Sequence, residues 1–135
     1  MSGSASHVFI SGIAGFLGSH LAEQMLQLGH RVTGCDNLQG GYIEKTFLME
    51  LNFTKWISPI NNDSTHSLGG VEIVFHTAAT AYDGFSVFSP YYVTQNVFSN
   101  TVSLASASID QGVKRFVFVL QWRDMGINKF PIKKM

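Results

Sequence analysis

Three glycines, Gly12, Gly15 and Gly18, stand at a fixed spacing between a short apolar run and a segment of helical periodicity. No other feature of the chain restricts its fold so tightly. The run before them, residues 7–11, contains Val8, Phe9 and Ile10 and predicts a β-strand. The segment after them, residues 16–28, carries Leu17, Leu21, Met25 and Leu28 as one apolar stripe and predicts an α-helix stopped by Gly29. A strand that passes directly into a helix needs residues without Cβ, because its backbone takes dihedrals that side chains resist. Such a turn also aims the free N–H groups and positive end of the helix at one point, where an anion is favoured. Gly18 is expected to bring the helix close to the strand.

Further along, residues 31–36 predict a second strand and residues 37–42 a loop, followed by a short helix or long connection over 43–49. Residues 51–60 hold a third strand with Phe53, Trp56 and Ile57, and Pro59 marks its end or a sheet edge. After polar residues 61–70, Val71, Ile73, Val74 and Phe75 make residues 71–79 the clearest inner strand. Nearly continuous apolar runs of this kind belong to parallel sheets covered on both faces. Residues 92–111 predict one long helix with Val93, Val97, Leu104, Ala105 and Ile109 among its apolar positions; Gly112 ends it, and residues 116–120 form a last strand. Alternation in this order predicts an α/β fold, a Rossmann-type doubly wound parallel sheet in three αβα layers, carried to about the fifth strand.

At the tip of the second strand stands Asp36, 18 residues beyond Gly18. A carboxylate there can accept both hydroxyls of an adenosine ribose and repel a 2′-phosphate, so the glycine turn and Asp36 together predict a dinucleotide site for NAD rather than NADP. Nine basic residues balance nine acidic ones in the 135-residue chain, which removes the electrostatic case for nucleic acid or an anionic membrane as partner. No apolar run approaches the roughly 18–20 residues of a membrane span. Residues 1–6 lack a leader pattern and are read as a flexible N-terminus. The single cysteine, Cys35, excludes an intrachain disulfide and is expected to be a buried structural thiol. These features together predict a cytoplasmic protein. The five histidines show no metal-ligand spacing, and His76 is expected to be a hydrogen-bonded core residue. Tyr91, Tyr92 and Phe98 are expected in the core or at a dimer contact.

The stretch Val8-Phe9-Ile10-Ser11-Gly12-Ile13-Ala14-Gly15-Phe16-Leu17-Gly18 resembles the start of the extended short-chain dehydrogenase/reductases, in their nucleotide-sugar epimerase/dehydratase branch of UDP-glucose 4-epimerase type. Asp36-Asn37-Leu38 resembles that branch's acid and loop, residues 71–79 its fourth strand and small-residue turn, and Asn96-Val97 with residues 112–117 its next helix and strand. The resemblance implies an NAD(P)-binding Rossmann domain over residues 7–126, with 127–135 as a tail and the substrate-binding part of the family absent. It implies NAD held by Gly12, Ala14, Gly15, Phe16, Leu17, Gly18, Asp36 and Asn37, with Thr77, Ala78 and Ala79 lining the cofactor. It also implies a nucleotide-sugar substrate for a completed enzyme, and a homodimer through the helix near Asn96.

The chain departs from the family where chemistry is done. Alignment on Gly126 puts Leu120, Gln121 and Trp122 in place of hydroxyl residues and Met125 in place of a tyrosine. No Tyr-x-x-x-Lys pair occurs, Ser99-Asn100 replaces a Gly-Thr, and Pro59 occupies the place of an acid that contacts adenine. No catalytic residue is therefore assigned. The leading expectation is an NAD-binding domain that is catalytically incompetent alone. The alternatives are a piece of an active epimerase/dehydratase completed by another segment or partner, and a non-catalytic interaction protein with a relic dinucleotide fold.

Overall fold

Side chains alternate across a strand, so Val8 and Ile10 of the first strand face one way and Phe9 the other. All three are buried, which places this strand at the centre of a sheet covered on both sides. A computed structural model of the chain describes residues 5–40, 52–55, 68–80 and 87–119, and shows how. Strands β1 (His7–Ser11), β2 (Arg31–Asp36), β3 (Asn52–Lys55), β4 (Ile73–His76) and β5 (Arg115–Phe118) form one sheet in the order β3-β2-β1-β4-β5. Every pairing is parallel, with Val8 opposite Val32 and Ile73, and Ile10 opposite Gly34 and Phe75. This is the doubly wound parallel sheet of a Rossmann-type α/β fold.

Helix α1 (Phe16–Gln27) covers one face, where Val8, Ile10, Ile13, Ala14, Ala22 and Val32 form a buried cluster joined by Leu21 and Met25. The other face buries Phe9, Cys35, Leu68, Val71, Val74, Leu104 and Ala107. Its cover is the last part of a helical segment made of α2 (Pro90–Thr94), one π-helical turn (Gln95–Ser99) and α3 (Asn100–Asp110), in which α3 carries the buried residues. Short connections end in glycines with positive φ at Gly29 and Gly112, where a left-handed residue closes each helix.

The expected elements that fall on described residues are present, with several corrections. The single helix expected over 92–111 begins at Pro90 and is interrupted, because the Asn100 N–H reaches back five residues to the Gln95 carbonyl. The Thr101 hydroxyl meanwhile takes the Val97 carbonyl, the acceptor an α-helix would use for the Thr101 N–H. The strand expected over 71–79 is confined to Ile73–His76, since Thr77 and Ala78 turn to lie against Gly12. The last strand is Arg115–Phe118, not 116–120. The stripe on α1 is rotated from the expected one: Leu17 and Leu28 are exposed, and the inward positions are Gly18, Leu21, Ala22 and Met25. Tyr91, Tyr92 and Phe98, expected in the core or at a contact between chains, are exposed in the isolated chain. The third strand takes the edge beyond β2. The helix expected over 43–49, the positions of Trp56, Ile57 and Pro59, and everything from residue 120 onward lie outside the described residues. No described helix is long and apolar enough to cross a membrane.

Candidate dinucleotide site

All five strands run parallel, so their carboxyl ends share one edge, and the glycine turn rises there from the central strand. Gly12 has φ +74°, a conformation that L side chains resist, and a Cβ there would lie 2.7 Å from the Ala78 nitrogen. The turn after β4 thus presses directly on the turn after β1. Gly18 is tighter still: a Cβ would collide with the Gly12 carbonyl oxygen and lie 2.8 Å from the Gly12 carbonyl carbon and from Ile13 Cα. Its close approach is therefore to the turn itself. Gly15 has one near neighbour, the Gly12 oxygen at 3.2 Å, and serves as the N-cap of α1. A glycine cap supplies no side-chain acceptor, and the first turn of α1 carries no acidic residue. The N–H groups of Phe16, Leu17 and Gly18 come next at the helix start, while the Phe16 ring stands 86% exposed. The contribution of Phe16 and Leu17 at this point is their backbone.

The carboxylate of Asp36 is fixed from two sides. Oδ2 accepts the Ala14 N–H at 3.0 Å, which ties the acid to the glycine turn across 22 residues of chain. Oδ1 accepts the Leu38 N–H at 2.7 Å. Each oxygen keeps further acceptor capacity for ribose hydroxyls. Leu38 adopts φ 61°, the one positive φ outside glycine among the described residues, and packs on the α1-side core. Asn37 is exposed and its Oδ1 accepts the Gln39 N–H at 3.0 Å. Thr77 donates its hydroxyl to the Ser11 carbonyl at 2.7 Å, so that side chain stitches the two turns together. Ala78 lies against Gly12, and Ala79 is exposed beside it. The structure thus gathers Gly12, Ala14, Gly15, Phe16, Leu17, Gly18, Asp36, Asn37, Thr77, Ala78 and Ala79 at one edge of the sheet.

Behind these turns lies a buried polar chain. His76 Nε2 is 2.7 Å from Thr101 Oγ1, and His76 Nδ1 contacts Ser11 Oγ. Thr101 gives its hydroxyl proton to Val97, so it accepts from His76 Nε2–H, and His76 Nδ1 accepts from Ser11. This fixes a neutral ring. Burial pushes its pKa down to about 4, and Phe118 stacks on it with centroids 5.4 Å apart. The expected core histidine is found, although the three-residue chain around it had no sequence signal beyond isolated polar residues in apolar segments. Gly34 was also missed: a Cβ there would collide with the Ile10 carbonyl and lie 2.7 Å from Ile13 Cδ1. Only the pairing of β1 with β2 exposes that requirement. Cys35 is buried, and burial, with the charge of Asp36 adding to it, pushes its thiol up to about 12. Among the described residues no group of three or more His, Cys, Asp or Glu side chains converges as metal ligands do.

With this geometry in place, comparison with known proteins identifies its class. The model of the NAD dependent epimerase/dehydratase family matches residues 8–120, and the chain belongs to that family. Among individual proteins, it is similar to a UDP-glucose 4-epimerase of Klebsiella pneumoniae, 34% identical over 121 residues that cover 82% of this chain and 86% of that sequence. Among solved structures, it is similar to the Thermotoga maritima UDP-glucose 4-epimerase with UDP-glucose (TM-score 0.71, 31% identity), covering 83% of this chain and 37% of that one. The Bordetella bronchiseptica enzyme WbmH in complex with NAD+ is similar to the same degree (TM-score 0.71, 30% identity), covering 84% of this chain and 38% of that one. The chain spans 28–30% of the length of the plant UDP-arabinose 4-epimerases that it also matches.

Proposed function

We propose that the chain binds NAD in the crevice at the carboxyl ends of β1, β2 and β4. The observation that carries this reading is the start of α1, which has neither a side-chain cap nor an acid in its first turn and stands beside the fixed carboxylate of Asp36. In this reading Gly12, Ala14, Gly15, Phe16, Leu17 and Gly18 surround the pyrophosphate, whose charge is met by N–H groups and the helix dipole. Asp36 and Asn37 take the adenosine ribose, and Thr77, Ala78 and Ala79 form the wall toward β4. The cradle fits the ligand because the start of α1 has a glycine cap, no side-chain acceptor and no acid in its first turn, so its N–H groups are left for an anion. When bound, NAD would supply a hydride acceptor.

The sequence contains no Tyr-x-x-x-Lys pair, so this chain is proposed to hold the dinucleotide without turning over a sugar nucleotide by itself. Its span of 37% of the Thermotoga enzyme favours a second reading, in which further residues or a partner complete an epimerase/dehydratase acting on a nucleotide sugar. Exposed Tyr91, Phe98, Val102 and Ile109 line one side of the α2–α3 segment and support self-association as a homodimer.

Thermal unfolding with NAD, and with NADP as control, tests the reading. Ligand at one hundred times its dissociation constant stabilises a fold by about 2.7 kcal/mol, which for a domain of this size is on the order of 5–15 °C. The expected outcome is that shift with NAD, a much smaller one with NADP, and loss of the NAD shift in Asp36→Ala. A cooperatively folded protein that shifts with neither dinucleotide overturns it.

A further inference from the structure

The loop that carries Asp36 is held from an unexpected direction. The Tyr92 hydroxyl donates to Gln39 Oε1 at 2.6 Å, joining residues 53 positions apart. Gln39 lies three residues beyond the end of β2, and Tyr92 lies in α2, which follows β4 in the chain. In the sheet, β2 and β4 are the two neighbours of β1. The bond thus joins the chain segments that follow the two neighbours of β1, the strand from which the Gly12 turn begins. The helical segment is placed for this. Thr101 meets His76 at the last residue of β4, and Tyr92 stands nine positions earlier, so the segment overhangs the strand ends by roughly 13 Å.

The loop held by this link is strained. Leu38 at φ 61° takes a backbone conformation that a side chain with a Cβ resists. The Leu38 N–H bonds Asp36 Oδ1, and the Gln39 N–H bonds Asn37 Oδ1, so the left-handed residue sits between two turns that fix both candidate ribose residues. The Leu38 side chain anchors the loop on the core, and the Gln39–Tyr92 bond anchors its outer end.

Resting on the NAD reading above, we infer that Tyr92 is a positioning residue for the dinucleotide: through Gln39 it clasps the loop across the crevice and aims Asp36 at the adenosine ribose. Tyr92 acts through Asp36, so its effect must vanish when the carboxylate is removed.

A double-mutant cycle on the full chain tests this, with NAD affinity measured by calorimetric titration and loop amides by NMR hydrogen exchange. Tyr92→Phe removes only the hydroxyl. It should weaken NAD binding about threefold to tenfold in the native background and leave it unchanged, within twofold, in Asp36→Asn. In the ligand-free protein it should speed exchange at Leu38 and Gln39 while leaving β1 amides unchanged. Gln39→Leu should match it, and Gln39→Glu, which keeps an acceptor, should restore slow exchange. Equal weakening by Tyr92→Phe in both backgrounds overturns the positioning role, as does unchanged exchange at Leu38 and Gln39. Wild-type protein that binds no NAD overturns the NAD reading and this role with it; accelerated exchange in Tyr92→Phe would then show that the tether itself exists.

Discussion

Replacing Gly18 with alanine separates the packing role of the glycine turn from any role in holding a ligand. Alanine is the better helix former, and Gly18 lies inside α1, so propensity alone would stabilise the protein by up to about 1 kcal/mol. The structure reverses that sign. The new Cβ would overlap the Gly12 carbonyl oxygen and lie 2.8 Å from Gly12 C and Ile13 Cα, inside the 3.0 Å that real Cβ atoms respect. All three obstacles are backbone, so no rotamer change relieves them. Gly12 is itself pinned, with its N–H on the Cys35 carbonyl at 2.8 Å and the Ala78 backbone behind it. The start of α1 must move by on the order of 1 Å, which separates Ala22 from Val8 and Ile10. Overpacking of this kind costs about 3 kcal/mol, leaving a net loss of about 2 kcal/mol after the propensity gain. For a domain of this size that lowers the unfolding midpoint by roughly 6–10 °C. The assay is thermal unfolding by circular dichroism without any nucleotide, with Gly29→Ala as reference. Gly29 has φ +81° and nothing within 4 Å of its would-be Cβ, so that variant carries conformational strain alone, about 1–2 kcal/mol. Gly18→Ala as stable as the parent protein would refute the reasoning.

Two further outcomes rest on buried groups. His76 is neutral in the fold with a pKa of about 4, against 6.5 when unfolded. The unfolded chain therefore binds the extra proton first as pH falls, and stability is retained above about pH 6.5 and lost down to about pH 4, by at most about 3 kcal/mol. His7, whose pKa is lowered by burial and by Arg31, adds in the same direction. Urea unfolding across this range should show the slope and His76→Asn should flatten most of it; an unchanged slope in that variant would sink the assignment. Cys35, with its thiol buried and pushed up to about 12, should react with a disulfide reagent at pH 8 at least about a hundredfold more slowly in the folded protein than in denaturant. Rapid stoichiometric labelling of native protein would contradict it.

The readable parts of this fold were the local ones, and the reason is physical. A strand, a glycine turn and a helix occupy one continuous stretch from His7 to Gln27, and each announces itself through neighbours within a few residues. Asp36 was legible because the length of a helix and a returning strand fixes where the second strand ends. The errors lie where one residue's environment is set by a distant part of the chain. The stripe on α1 was misplaced because Gly18 carries no hydrophobic side chain, so a count of apolar residues gives it no weight. Yet Gly18 is the point of closest approach, and it rotates the buried face from Leu17 and Leu28 to Leu21, Ala22 and Met25.

The same holds for the polar contacts behind the site. Ser11, His76 and Thr101 come from β1, β4 and α3, and no spacing in the sequence relates them. Periodicity marks which residues of α3 face the sheet, but it cannot say that Thr101 meets a histidine there and takes the Val97 carbonyl. The expected continuous helix therefore became two helices and a π turn. Gly34 and the Gln39–Tyr92 bond are of the same kind, since each exists only once β2 has paired with β1 and α2 has met the loop after β2. The glycine turn could be read from the sequence because it satisfies its own backbone. The features that hold Asp36 in place could not, because they are built by elements up to 53 residues away. A substitution at Gln39 or Tyr92 is thus expected to act on the adenosine end of the crevice while leaving every local signature of the fold intact.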